Sequence, residues 1–505
     1  MMESTRPGSE PTLQQFRGRP VGEFAAMRDH LILWVNGVRH AVGGADALLS
    51  FSDFARDRLG LFGTKVVCAE GDCGACTVLV RRADEPRHVP IDSCIRFLFQ
   101  LDGCHVVTVE GLADGPELAP VQQAMVDCHG SQCGFCTPGF VMTLAAACER
   151  DAVDPQMADW PQELAGNLCR CTGYVPIVEA AQRAAGGTWL ARRYPDDGWR
   201  AEAAAARGRA FDIRTADGRR VVSPVTIAGA LDFKATEPAA RTVAGGTDLG
   251  VQWNQRRLHA ATWLDISRID QLRGVTVARN AAGTVLTAGA LATWTECLGV
   301  CRTHLPEFVP ILRAFGGPQI RHVGTLGGNV VNGSPIADSL PLLFALDAEL
   351  ELASAAGSRS LPITEFFRGY KDLDLRPDEL LTTVRLPLPA AADIFRLVKV
   401  SRRRDLDIST FTAAVRLALD GGRIASAALA CGGVGPVVLR LRETERFLVG
   451  RRFDEETCAL AGDHAVREIA PISDVRGSVA YRRQLARNLL LKVFHERAPG
   501  DEVSA

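Results

Sequence analysis

Eight of the 15 cysteines fall into two groups whose spacing suits metal chemistry. Cys68, Cys73 and Cys76 form C-x4-C-x2-C in VVCAEGDCGACTVLV, and Cys94 follows in DSCIRF. That is the plant-type [2Fe-2S] spacing, three thiolates on one loop with a distant fourth. The residues between the thiols are small or polar, so backbone amides can turn toward inorganic sulfide, and Gly71 and Gly74 ease the tight wrap. A structural zinc site also uses C-x2-C pairs, and Cys73 with Cys76 alone would suit a redox-active dithiol. The x4 spacing and the apolar strand expected over Thr77 to Val80 favour the iron–sulfur loop.

The second group is Cys133-x2-Cys136 in GSQCGFCTPGF and Cys169-x-Cys171 in GNLCRCTGYVPI, with 32 residues between the pairs. Each pair reads as the opening of a helix. Pro138 suits a first turn, and FVMTLAAACE continues with apolar residues at helical spacing. Two such starts facing each other would aim four thiolates at one point, and helix N-termini favour an anionic ligand. Taken alone, this motif leaves zinc open. The other seven, Cys104, Cys128, Cys148, Cys297, Cys301, Cys431 and Cys458, read as buried apolar thiols. Cys297 and Cys301 would share one helix face in TECLGVCRTH.

Elements and composition bound what can position these groups. At 505 residues the chain has room for about three domains. Its 57 Lys+Arg against 59 Asp+Glu leave a net charge of −2, which gives no general attraction to nucleic acid or anionic lipid. The first thirty residues lack the apolar run of a signal peptide, so a cytoplasmic location is expected. No segment offers the roughly 18 consecutive apolar residues of a spanning helix. Residues 186–210, rich in Gly, Pro, Ala and charge, are expected to be a linker. Beyond them, strand-like runs (RTVAGG, ATWLDI, GTVLTAGAL) alternate with glycines. Two glycine-bearing loops, residues 241–251 and 321–341, could offer backbone amides and the Thr247 hydroxyl to a pyrophosphate. Neither matches the Rossmann or P-loop pattern.

The motifs EGDCGACTV, SQCGFCTPG and NLCRCTGY resemble those of the molybdenum hydroxylase family, and the resemblance runs from about residue 30 to the end of the chain. It implies an α+β multidomain fold. A polar extension (1–29) would precede a β-grasp ferredoxin-like domain (30–114) and a helical-bundle [2Fe-2S] domain (115–185). After the 186–210 linker would come a vanillyl-alcohol-oxidase-type FAD domain (211–390) and an α/β C-terminal flavoprotein domain (391–505). The eight cysteines would hold two [2Fe-2S] clusters, with Gln132 between the second cluster and a pterin. FAD would be held by Thr242, Val243, Ala244, Gly245, Gly246, Thr247, Asp248, Leu249, Phe315, Thr325, Asn329, Asp338, Leu381 and Lys399. Tyr370 would lie against NAD, the expected acceptor, and Arg402, Arg403 and Arg404 would help draw NAD in.

In family terms the molybdopterin sits on a separate large subunit that oxidises a purine, and the whole assembles as a dimer of heterodimers. No residue of this chain then performs acid–base chemistry on the substrate. An aldehyde or N-heterocycle partner is the alternative within the family, and a redox-sensing or zinc-stabilised binding protein without turnover is the alternative outside it.

Overall fold

The computed structural model describes residues 27–149, 159–281 and 283–496. Nearly all of the expected polar extension lies outside the described residues. Strand His30–Val35 pairs antiparallel with Val38–Gly43 and parallel with Cys104–Val107. Thr77–Arg82 and Val89–Asp92 complete this mixed five-stranded sheet. Alternation explains how the first strand is used: Leu31, Leu33 and Val35 enter one core, while Ile32 and Trp34 face the other way.

What covers that other face is the segment expected to be a linker, and this expectation is corrected. Residues 186–210 hold helices Trp189–Arg193 and Arg200–Arg207. Ala203 and Ala206, three apart and so on one helix face, pack with Trp199 on Ile32 and Trp34. The alanine run AEAAAA within this segment is a helix whose small side chains allow close approach to the sheet.

A helical module follows the first sheet in the chain. Helices Pro120–Asp127, Thr137–Cys148 and Val175–Ala184 bury Val121, Ala124, Phe140, Leu144, Ile177 and Ala181 among themselves. Further on, a four-stranded sheet (Phe211–Arg214, Arg220–Ser223, Thr262–Asp265, Arg241–Val243) precedes the all-antiparallel five-stranded sheet that contains Gly283–Gly289 and Leu380–Pro387. The last module backs strands Ile394–Val400, Phe411–Asp420 and Arg423–Gly432 with helices Glu455–Glu468 and Val479–His495. Among the described residues no helix is long and apolar enough to cross a membrane.

Neighbouring cores merge. Phe97 stacks on Phe99 at 5.1 Å and meets Trp263 of the four-stranded sheet at 5.1 Å. Beside this aromatic contact, the buried carboxylate of Asp102 accepts from Arg28 at 2.8 and 2.6 Å, from Arg268 at 2.6 Å and from the Ile32 amide at 2.8 Å. Arg28 also donates to the Ala206 carbonyl, and Arg268 to that of Ser223, so one acid ties the first sheet, the Arg200–Arg207 helix and the four-stranded sheet together. Replacing Asp102 with Ala would leave two buried guanidiniums without the carboxylate they share, at a cost of about 3–5 kcal/mol. Urea unfolding should show this as a lowered midpoint; an unchanged midpoint would contradict the assignment.

Candidate metal centres and cofactor cleft

The first thiol site is a loop closed by a short turn. Cys68, Cys73 and Cys76 lie on the loop, and Cys94 sits in the turn Ser93–Ile95 at the end of strand Val89–Asp92. The thiols touch as pairs, Cys68 with Cys73 and Cys76 with Cys94, and Cys68 also meets Cys94. Backbone amides face the sulfurs: that of Glu70 donates to Cys68 Sγ at 3.4 Å, and that of Ala75 points to Cys73. The crowding splits the titrations. Hydrogen bonds from Cys73 and Cys94 hold Cys68 far below the usual thiol range, and the same contacts push Cys73 and Cys94 far above it. Burial, then the charges of Cys76 and Cys68, raises neighbouring Asp92 well above a normal carboxyl. Four thiolates can coexist here only with a cationic core between them.

At the second site Cys133 and Cys136 stand just before helix Thr137–Cys148, as expected. Cys169 and Cys171 differ from expectation: they lie on a turn ahead of Val175–Ala184 and do not open that helix. The Tyr174 hydroxyl accepts the Cys169 amide at 2.9 Å and so fixes the turn. Here the pairs form between the loops. Cys171 Sγ is 3.6 Å from Cys133 Sγ, and Cys136 meets Cys169. Burial and then Cys169 push Cys136 up to about 12. Burial opposes ionisation of Cys169 too, but the Thr172 hydroxyl at 3.2 Å and nearby amides bring it below its usual value.

Two thiolates per iron is what a rhombic [2Fe-2S] core requires, whereas one zinc ion needs four donors on a single point. Thiols paired two and two at each site fit a binuclear cluster. Cys133, Cys171 and Gln132 are exposed, and the apolar side chains Phe135, Leu168 and Val175 stand exposed around them. Of the seven remaining cysteines, all but the half-buried Cys128 are buried, including the Cys297/Cys301 pair on helix Trp294–His304.

The two sites are in direct contact. The Leu168 amide donates to the Cys73 carbonyl at 3.0 Å, one residue before Cys169. Gly74 makes this approach possible: a side chain there would lie 2.3 Å from the Gly166 carbonyl oxygen. Asn167 donates to the Gly74 carbonyl at 3.1 Å and accepts from Thr143 at 2.7 Å and from Gln319 at 2.9 Å. Gln319, fully buried, comes from the segment beside the cofactor cleft and also reaches Thr77 and Thr143 at 3.2 Å.

A cleft of about 730 Å³ lies on the other side. Its walls include Thr242, Ala244, Gly245, Gly246, Thr247, Asp248, Leu249, Phe315, Thr325, Asn329 and Leu381, eleven of the fifteen cofactor residues expected from sequence. Gly245 is obligatory, since a Cβ there would sit 2.2 Å from the Val323 carbonyl oxygen. Trp294 holds the Phe315 ring edge-on at 4.9 Å. Helix Leu249–Asn254 links this cleft to the first thiol site: it starts on the glycine loop, and Asn254 at its far end donates to the Ala69 and Cys94 carbonyls at 2.9 Å. Ile320 lines the cleft and also packs on Cys76, Cys94 and Ile95, so one side-chain layer separates cleft from thiols.

Four expected residues are not in the walls. Val243 is buried in the core. Asp338 and Lys399 form a buried ion pair at 2.6 Å, completed by Ser409, and stand behind the wall that Asn329 forms, where Ser339 donates to Asn329 at 2.6 Å. Tyr370 is exposed on the turn after strand Phe367–Gly369, next to Lys371, which does line the cleft. The Arg402–Arg404 run also lies outside the walls; Arg403 pairs with Asp407 at 3.3 Å. Lys371, Leu373, Arg376, Gly327 and Gly328 line the cleft without having been singled out. Only Gly327 and Gly328 had a sequence signal, the TLGGNV loop already noted for Thr325 and Asn329.

Comparison with known proteins matches residues 213–389 to the FAD binding domain in molybdopterin dehydrogenase, 396–497 to the CO dehydrogenase flavoprotein C-terminal domain and 108–182 to a [2Fe-2S] binding domain. The chain is 30% identical to xanthine dehydrogenase 1 of Arabidopsis thaliana over 94% of its own length and 40% of that protein. It is also 30% identical to aldehyde oxidase 2 of Macaca fascicularis over 94% of itself and 39% of that protein. It thus spans about two fifths of these relatives. Among solved structures, CO dehydrogenase from Oligotropha carboxidovorans superposes with a TM-score of 0.51 at 31% identity, covering 55% of this chain and 97% of that one.

Exchanging Gly245 for Ala should lower bound flavin at least tenfold while leaving the iron content unchanged, because the new methyl collides with the Val323 carbonyl and not with a thiol loop. Absorbance and iron assay on the purified variant check this; full flavin content would contradict it.

Proposed function

The chain belongs to the molybdenum hydroxylase family as its iron–sulfur and flavin part, and from that premise we propose that it is the electron-transfer subunit of a xanthine dehydrogenase. When bound, [2Fe-2S] clusters pass single electrons, and FAD collects two and releases them as hydride to NAD. Cys133, Cys136, Cys169 and Cys171 hold the cluster that faces the molybdenum partner. Cys68, Cys73, Cys76 and Cys94 hold the inner one. The glycine loop from Thr242 to Leu249, with Phe315, Thr325, Asn329 and Leu381, holds FAD. Asp338 and Lys399 brace that wall from behind, and Tyr370 meets NAD at its rim.

Contiguity carries this reading. A backbone hydrogen bond joins the two thiol sites at 3.0 Å, and Ile320 both packs on Cys76 and Cys94 of the inner site and lines the cleft. The exposed apolar rim of Phe135, Leu168 and Val175 around Cys133 and Cys171 supports a docked large subunit that carries the molybdopterin and the purine pocket. Such units would pair as a dimer of heterodimers in the cytoplasm. Aldehyde oxidation by the partner is the second reading, favoured by the equal 30% identity to aldehyde oxidase 2.

Co-purification with the partner tests the proposal. The complex should reduce NAD when given xanthine, and Cys169→Ser should cut that rate at least a hundredfold while xanthine still reduces the molybdenum centre. An aldehyde but not xanthine driving NAD reduction would establish the second reading instead, and an unimpaired Cys169→Ser complex would contradict the relay.

A further inference from the structure

A separate crevice of about 70 Å³ opens where the first sheet, the Arg200–Arg207 helix and the flavin-side segments meet. It shares Ala244, Gly245 and Thr325 with the large cleft, and its other lining residues are its own. Four guanidiniums line it, those of Arg82, Arg96, Arg207 and Arg273, and His322 lies beside them. Against them stands one lining carboxylate, Glu85, which is held by Arg82 at 3.2 Å. Asp84 is likewise taken by Arg82 at 2.9 Å. Asp270, outside the lining and mostly exposed, is 3.6 Å from Arg207 and 3.5 Å from Arg273. Arg96 donates to the Gly245 carbonyl at 3.0 Å and the Gln100 carbonyl at 3.5 Å.

This leaves donors and one acceptor unused. Arg96 Nε and Ser267 Oγ are buried without a hydrogen-bond partner, and so is Gln100 Oε1; Arg207 Nη2 and Arg273 Nε, also buried, have only Asp270 beyond hydrogen-bond reach at 3.6 and 3.5 Å. Gln100 is 1% exposed and Ser267 is 7% exposed. Leaving such groups dry costs about 1–3 kcal/mol each. Burial lowers Arg96 and Arg273 only to about 10, so both stay charged at neutral pH. Clustered cations with free N–H and O–H donors call for an anion of several oxygens. The free acceptor is more selective. A hydrogen phosphate carries a P–OH that can donate to Gln100 Oε1; sulfate has no such proton near neutral pH, and neither has the diphosphate of a flavin nucleotide.

We propose that this crevice binds inorganic hydrogen phosphate. The anion would join Arg82 and Arg96 of the first sheet, Arg207 of the connecting helix and Arg273 and Ser267 of the flavin side, and so would strengthen the junction between the modules.

Calorimetric titration of the FAD-loaded full chain with phosphate, against chloride at matched ionic strength, tests this. One saturable site per chain is expected, with sulfate at least tenfold weaker. Arg207→Gln combined with Arg273→Gln should weaken phosphate at least tenfold. The isosteric Gln100→Glu, which keeps the side-chain volume and gives up the Nε2 hydrogen bond to the Ala244 carbonyl, should abolish binding by placing a carboxylate among the guanidiniums, and it serves if the double variant misfolds. Absence of saturable binding, equal affinity for sulfate, or binding only after flavin removal would each overturn the proposal, the last by showing that the anion enters the large cleft.

Discussion

The carbonyl of Cys73 and the amide of Leu168 share one hydrogen bond, and the rest of the molecule is arranged so that it can form. Electron transfer between separate cofactors slows steeply with distance, and here the ligand loops themselves touch. Gly74 offers no side chain, so the Gly166 carbonyl can close over it. Asn167 and Gln319 then fill the seam with a buried amide network that includes Thr77 and Thr143. Such a network is stabilising only when nearly complete, because a half-satisfied buried amide costs more than an apolar contact. Oε1 of Gln319 is the one atom of this seam left without a partner. The seam therefore specifies a single docking geometry for three modules.

A second constraint acts at a distance from the thiols. Asp102 sits between Arg28 and Arg268, all three buried, and fixes how the first sheet lies on the flavin side. The merged aromatic core around Phe97, Phe99 and Trp263 supplies non-directional burial, while the ion triad supplies direction. Helix Leu249–Asn254 exploits the result, with a glycine loop at one end and Asn254 holding the carbonyls of Ala69 and Cys94 at the other. A shift of either module would pull the cleft away from the inner thiols.

Sequence made the local parts of this arrangement legible. The cysteine spacings stood out because ligand geometry is written into short loops, and all eight thiols take their places in two groups of four. The glycine loop at Thr242–Leu249 was readable for the same reason, apart from Val243, whose side chain turns into the core as strand alternation requires. Long-range features were not legible. Lys371 and Arg376 reach the cleft from beyond residue 370, and Gln319 joins residues far away in the chain. Composition misled at residues 186–210, where an alanine-rich helix needs Trp34 opposite it before it has a face to bury. Asp338 and Lys399 were found at the right wall but behind it, because a buried lysine takes a carboxylate before it can take a ligand.

Electron paramagnetic resonance of the anaerobically purified chain, with metal and flavin analysis of the same sample, tests the central claim most directly. Two distinct signals should develop on dithionite reduction, alongside about four irons and one FAD per chain, two irons for each thiol set. Cys136→Ser should remove one signal and leave the other. Zinc in place of iron, with no signal after reduction and no flavin, would contradict the account.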